Sequence, residues 1–158
     1  MLTQAKYMEQ RAKMKREIII ILALSMGALR LADASTPMFY RFVNGEHLRL
    51  APNFTASEFH CRCGKQHGVR VSGKLLYHLE LLRARIGKPV RITSGFRCVE
   101  HNALVGGSKH SMHLSGEGAD IVIKGMTMAV LADHARGAGF GFVLDEGDHV
   151  HVDVREGA

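Results

Sequence analysis

The chain has 158 residues and a formal charge of +6, with 46% apolar residues, 17 glycines, ten histidines, three cysteines and no tryptophan. That is a one-domain length with enough apolar content for a core. The basic excess is mild and scattered, which argues against nucleic acid as a partner and suits an anionic polymer such as a cell wall only weakly.

The N-terminus reads as an address. "KMKR" precedes the apolar run "EIIIILALSMGAL", and "RLADAS" follows with a small-x-small end at Ala32-Asp33-Ala34. A basic flank, a short apolar core and a small-residue end describe a secretory signal peptide over 1–34. The run is short for a transmembrane span, and a buried helix or an uncleaved membrane anchor stays open. Export to the periplasm, the cell envelope or the medium is the expectation.

Residues 35–52, "STPMFYRFVNGEHLRLAP", form a lead-in. Asn44-Gly45 is a two-residue turn signal between two strand-like runs, so a hairpin is expected there. The main domain is placed at 53–158. Thr55 and Glu58 make a capping-box pattern for one short helix. Ser72 can cap a longer helix, in which Leu75, Leu76, Leu79, Leu82 and Ile86 recur at helical spacing; Gly87 ends it and Pro89 prevents its continuation.

A strand at Val90–Thr93, a turn "SGFRC" and a short helix "VEHNALV" follow. "GADIVI" (Gly118–Ile123) reads as a strand, and Thr127 caps a helix to about Arg136. "GFVL" (Gly141–Leu144) and "HVHVDV" (His149–Val154) pair as a hairpin across "DEGD". The order implies an α+β fold with a small, mostly antiparallel sheet flanked by helices.

Alternation puts His149, His151 and Asp153 on one face of the last strand, with Val150, Val152 and Val154 on the core face. Two histidines and a carboxylate on alternate residues suit metal ligation, and a solvated polar edge is the plain alternative. Asp120 interrupts an apolar strand, and a buried carboxylate needs a cation or several donors. His113, Asp120 and one histidine of "HVH" would make a His-Asp-His set with a fourth position open, the pattern of a catalytic zinc. The cysteines, at 61, 63 and 98, read differently. The Cys61-x-Cys63 spacing is tight for an ordinary structural zinc pair; a bridge from either to Cys98, or three buried thiols, stays open. Serine hydrolysis is disfavoured, since no Gly-x-Ser-x-Gly elbow is present.

"SGFRCVEHNALVGGSKHSMHLSGEGADI", followed by "DHVHVDVR", resembles the M15 peptidases. These are the zinc D-alanyl-D-alanine carboxypeptidases and related peptidoglycan endopeptidases, which share a fold with the Hedgehog signalling domain. The resemblance runs from about Phe54 to Arg155. It assigns the SxHxxGxxxD motif to Ser111, His113, Gly116 and Asp120, and implies one Zn2+ per chain on His113, Asp120 and His151. It makes Asp148 the catalytic carboxylate, three residues before His151, and Arg97 the group that holds an oxyanion or a substrate carboxylate. Ser111 would hydrogen-bond substrate or stabilise a turn. His149 is a rival ligand or a donor beside the site. Asp153 is a fallback carboxylate or orients a ligand histidine.

Departures from the family pattern fall at His110, Met112 and His149. In an ideal strand Asp148 and His151 face opposite ways, and Gly147 offers the freedom to swing Asp148 inward. The implied substrate is a peptide bond beside D-alanine in peptidoglycan, acted on by a monomer that meets a membrane only through its N-terminal segment. A catalytically silent zinc-binding module of the same fold, and a phage lysis or tail wall hydrolase, are the alternatives.

Overall fold

The computed structural model describes residues 39–156; the expected leader and the start of the lead-in lie outside them. Along the chain run β1 (Phe39–Val43), β2 (Arg49–Ala51), β3 (Phe54–Thr55), a 3-10 turn (Ala56–Phe59) and β4 (Gly68–Ser72). Then follow α1 (Gly73–Ile86), β5 (Arg91–Ser94), α2 (Val99–Leu104), α3 (Met112–Ser115), β6 (Gly118–Val122), α4 (Met128–Gly137), β7 (Phe142–Asp145) and β8 (Val150–Asp153). The fold is α+β.

The principal sheet has the order β5-β6-β8-β7, and every neighbouring pair is antiparallel. Its core face carries Ala119, Ile121, Val150 and Val152. Against it pack Leu75, Leu79 and Leu82 of α1 with Leu131 and Ala135 of α4, all 0% exposed. Each large aliphatic side chain so buried stabilises the fold by roughly 1.5–3 kcal/mol. The helical spacing that predicts α1 is the stripe that meets this sheet. Gly87 closes the helix in the left-handed region (φ 69°), its N–H donating to the Arg83 carbonyl at 2.8 Å. The expected β7–β8 hairpin forms.

The lead-in differs from expectation. Asn44-Gly45 does turn, but the strands flanking it do not pair with each other. Instead β1 pairs with β4, Phe42 opposite Val69, while β2 pairs with β3. Burying Phe42 against Val69 and Val71 gives β1 an apolar partner that β2, with one buried residue, does not offer. The capping box at Thr55 and Glu58 forms on a 3-10 turn, with the Thr55 N–H donating to Glu58 Oε2 at 2.7 Å. Among the described residues no helix is long and apolar enough to cross a membrane.

Candidate metal centre

With Ala119, Ile121, Val150 and Val152 turned to the core, alternation leaves Asp120 and His151 on the other face. The register of β6 and β8 sets those two opposite each other, and Ser94 of β5 lies opposite Asp120 on the other side. His113 arrives from α3. Ser111 starts that turn, its hydroxyl oxygen accepting the His113 N–H at 3.4 Å, and Gly116 ends it at φ 74°. A Cβ on Gly116 would lie 2.1 Å from the Arg70 carbonyl oxygen. Gly118 serves by close approach: a Cβ there would sit 3.2 Å from His151 Cε1.

The three side chains converge. His113 Nε2 lies 3.1 Å from Asp120 Oδ1 and 3.2 Å from His151 Nδ1, and His151 Nδ1 lies 2.9 Å from Asp120 Oδ1. One face of a tetrahedron with metal–ligand distances of about 2.0–2.1 Å has edges of about 3.3–3.4 Å, so a small outward expansion of the three donors accommodates zinc. The other ring nitrogens are already committed. His113 Nδ1–H donates to the Gly95 carbonyl at 2.6 Å, and His151 Nε2–H donates to Asp153 Oδ2 at 3.2 Å. Two ring nitrogens and a carboxylate oxygen therefore meet at one spot, an arrangement that suits a bound cation. Buried His, Asp and His donors within 4.8 Å of one another fit zinc.

Electrostatics agree. Burial works to raise the Asp120 pKa, but hydrogen bonds from His113 and His151 and the charge of Arg97 outweigh it and hold it well below the usual carboxylate range. Burial works to lower the His151 pKa, but its bonds to Asp120 and Asp153 lift it to about 9. Asp153, itself buried, is drawn down to about 2 by His151 and Arg155.

The remaining expected residues divide. Arg97 is in the site, but its Nη2 donates to Asp120 Oδ2 at 2.5 Å and its Nε to Ser94 Oγ at 2.9 Å. It fixes the carboxylate oxygen that faces away from His113 and His151. Asp153 orients His151; its position opposite Gly118 on the sheet, with no exposed side-chain surface, does not suit a proton-transfer base. Asp148 stands apart. Despite the turn at Gly147 (φ 88°), its carboxylate is 87% exposed and meets His149 Nδ1 at 2.6 Å rather than the converging three. His149 bridges the gap: its Nε2 lies 3.6 Å from Asp120 Oδ1 and 3.4 Å from Glu146 Oε2.

Two contributors escape sequence reasoning. Arg155 clamps Asp153 through Nε at 2.9 Å and Nη2 at 2.5 Å, and lies over the Phe142 ring at 4.4 Å. Its place two residues after Asp153 was the available signal. The Gly95 carbonyl, which orients His113, has no side-chain signature.

The family described as Peptidase M15 matches residues 52–153. A zinc D-Ala-D-Ala carboxypeptidase of Streptomyces albus G is 34% identical over 115 residues, a match covering 63% of this chain and 45% of the relative's own length. Since His113, Asp120 and His151 all fall within a match that spans most of the sequence, the chain belongs to the peptidase M15 family.

Proposed function

We propose that the chain is a zinc peptidase that hydrolyses peptide bonds of bacterial peptidoglycan, in D-alanine-containing stem peptides or their cross-links. The observation that carries this reading is the triangle of His113 Nε2, Asp120 Oδ1 and His151 Nδ1 with edges of 2.9–3.2 Å. Membership in a peptidase family and likeness to a zinc D-Ala-D-Ala carboxypeptidase support it.

His113, Asp120 and His151 would hold one zinc ion, which would supply Lewis acidity and lower the pKa of a water. Arg97 and Asp153 keep the ligands aimed, one through Asp120 and one through His151. Asp148 accepts the proton of the attacking water and returns it to the leaving amine. His149 holds the Asp148 carboxylate at the open rim. The Arg97 donors not engaged by Ser94 and Asp120 receive a substrate oxygen. Ser111 accepts the His113 N–H, and its own hydrogen is left for substrate. A cleft of about 380 Å³ lined by Arg41, Arg70, Phe96 and Leu114 adjoins the site in sequence through Arg97 and His113, and its two guanidinium groups suit a peptide bearing carboxylates. The peptidase domain occupies 53–158 and acts as a monomer outside the cytoplasm, delivered by the segment 1–34.

Purified muropeptides digested with and without a chelator, read by mass, test the proposal. Chelator-sensitive loss of one terminal alanine identifies a carboxypeptidase; dimers falling to monomers identify an endopeptidase. No chelator-sensitive product from any muropeptide overturns the reading.

A further inference from the structure

A second cluster lies outside the His-Asp-His site. The sulfurs of Cys61, Cys63 and Cys98 and a ring nitrogen of His67 all lie within 4.8 Å of one another, and all three cysteines are free thiols. From the geometry we infer that this cluster is a second, structural zinc site, closed by four protein ligands.

Three observations carry it. First, the donor set is that of closed structural zinc sites. Three thiolates and an imidazole in tetrahedral array have sulfur–sulfur edges of about 3.8 Å at Zn–S distances of about 2.3 Å. Soft thiolates select zinc over calcium or magnesium. Second, His67 is prepared as a ligand. Its Nδ1–H donates to the Gly68 carbonyl at 3.0 Å, leaving Nε2 to face Cys63 Sγ at 3.0 Å. This is the arrangement His113 has with Gly95.

Third, each sulfur accepts a backbone N–H. Cys61 Sγ takes it from Cys98 at 3.3 Å, Cys63 Sγ from Lys65 at 3.4 Å and Cys98 Sγ from His101 at 3.4 Å. Backbone donors aimed at sulfur offset thiolate charge, which a buried neutral thiol does not require. A disulfide would use two of the three cysteines and strand the third beside His67. The tight Cys61-x-Cys63 spacing is no obstacle, because the other two ligands come from the residues immediately before β4 and before α2.

The position gives the site its purpose. Cys98 follows directly on Gly95, Phe96 and Arg97, the loop that supplies the His113 acceptor and the Asp120 clamp. On the other side, Phe59 accepts the Phe96 N–H at 3.0 Å just before Cys61. A metal joining Cys61, Cys63 and His67 to Cys98 therefore fastens the Cys98 end of that loop to the segment whose Phe59 carbonyl holds Phe96.

The test uses the full chain purified under reducing conditions and loaded with zinc or cobalt. Zinc per chain is expected to be one equivalent higher than the His-Asp-His site alone can hold. The cobalt form is expected to show a thiolate-to-cobalt charge-transfer band, which His113, Asp120 and His151 cannot produce for want of sulfur. Cys63→Ser with Cys98→Ser is expected to remove the band and one zinc equivalent, while His113→Ala with Asp120→Ala keeps the band. Should the cysteine variant fail to fold, the wild-type cobalt spectrum decides. Absence of the band in the wild type, a band that survives the cysteine substitutions, or a disulfide among the three cysteines of protein isolated with zinc present overturns the inference.

Discussion

Asp120 and His151 stand opposite each other across the β6–β8 ladder, with Oδ1 and Nδ1 2.9 Å apart. The pairing comes from register. Ala119, Ile121, Val150 and Val152 must share the core face, so the residues between them are forced together on the other side. A slip of one residue would send a ligand into the core and a valine into the site. The alternation that stabilises the sheet thus also builds the metal centre.

His151 is aimed by Asp153, which Arg155 holds in turn. Asp153→Ala is expected to weaken zinc binding at this centre about 10–100-fold, the usual cost of removing a group that orients a ligand imidazole. A competition titration against a chromophoric chelator measures it. Unchanged affinity would mean that the imidazole is held by packing against Gly118 alone.

Proton competition sets the pH dependence. In the metal-free protein the His151 pKa is raised from 6.5 to about 9, against the pull of burial, by its bonds to Asp120 and Asp153. Zinc needs that lone pair, so binding expels a proton, and affinity is expected to rise by about tenfold per pH unit between those values. The metal-free fold shows the opposite sign: the stability from protonated His151 is complete below pH 6.5 and lost as pH rises through about 9. Calorimetric zinc titration and denaturant unfolding of the metal-free chain across this window check both slopes. A flat zinc affinity would remove His151 from the ligand set.

Gly116 ends the turn that carries His113. Gly116→Ala would force a side chain into the left-handed region at φ 74°, at about 1–2 kcal/mol. Its Cβ would also overlap the Arg70 carbonyl at 2.1 Å, and Gly116 O is the acceptor of the Ser72 N–H at the start of α1. Denaturant unfolding is expected to show a loss greater than the backbone penalty alone. A variant as stable as the wild type would mean that α3 can shift away from β4.

Much of this was legible in the sequence. Helix α1 declares itself through five apolar residues at helical spacing, β6 through a short apolar run broken by Asp120, and β8 through strict alternation. The set His113, Asp120 and His151 came from motif order, which geometry then drew together. The pairing of β1 with β4 was not legible, because Asn44-Gly45 reports a local turn and says nothing of a partner more than twenty residues away. Helix α3 has four residues, too few for a periodic signal. The Arg97 contact with Asp120 and the outward direction of Asp148 are set by loop paths that composition does not encode. His67 carries no signal in the sequence, because a lone histidine acquires meaning only when Cys98 arrives beside it.

Asp148 is the residue whose role the geometry leaves most sharply exposed to test. Its carboxylate is 87% exposed and hydrogen-bonded to His149, whose other nitrogen lies near Asp120. As the proton-transfer group, it makes Asp148→Ala lose about 10²–10⁴-fold in turnover while keeping its zinc. Turnover on muropeptides and zinc content, measured on the same preparation, separate the cases. Loss of both would mean that the rim supports the metal. Retention of both would shift proton transfer to His149 or Glu146, and His149→Ala would then carry the loss. An inactive wild type that holds zinc through all of these changes would match the silent zinc-binding module and end the peptidase reading.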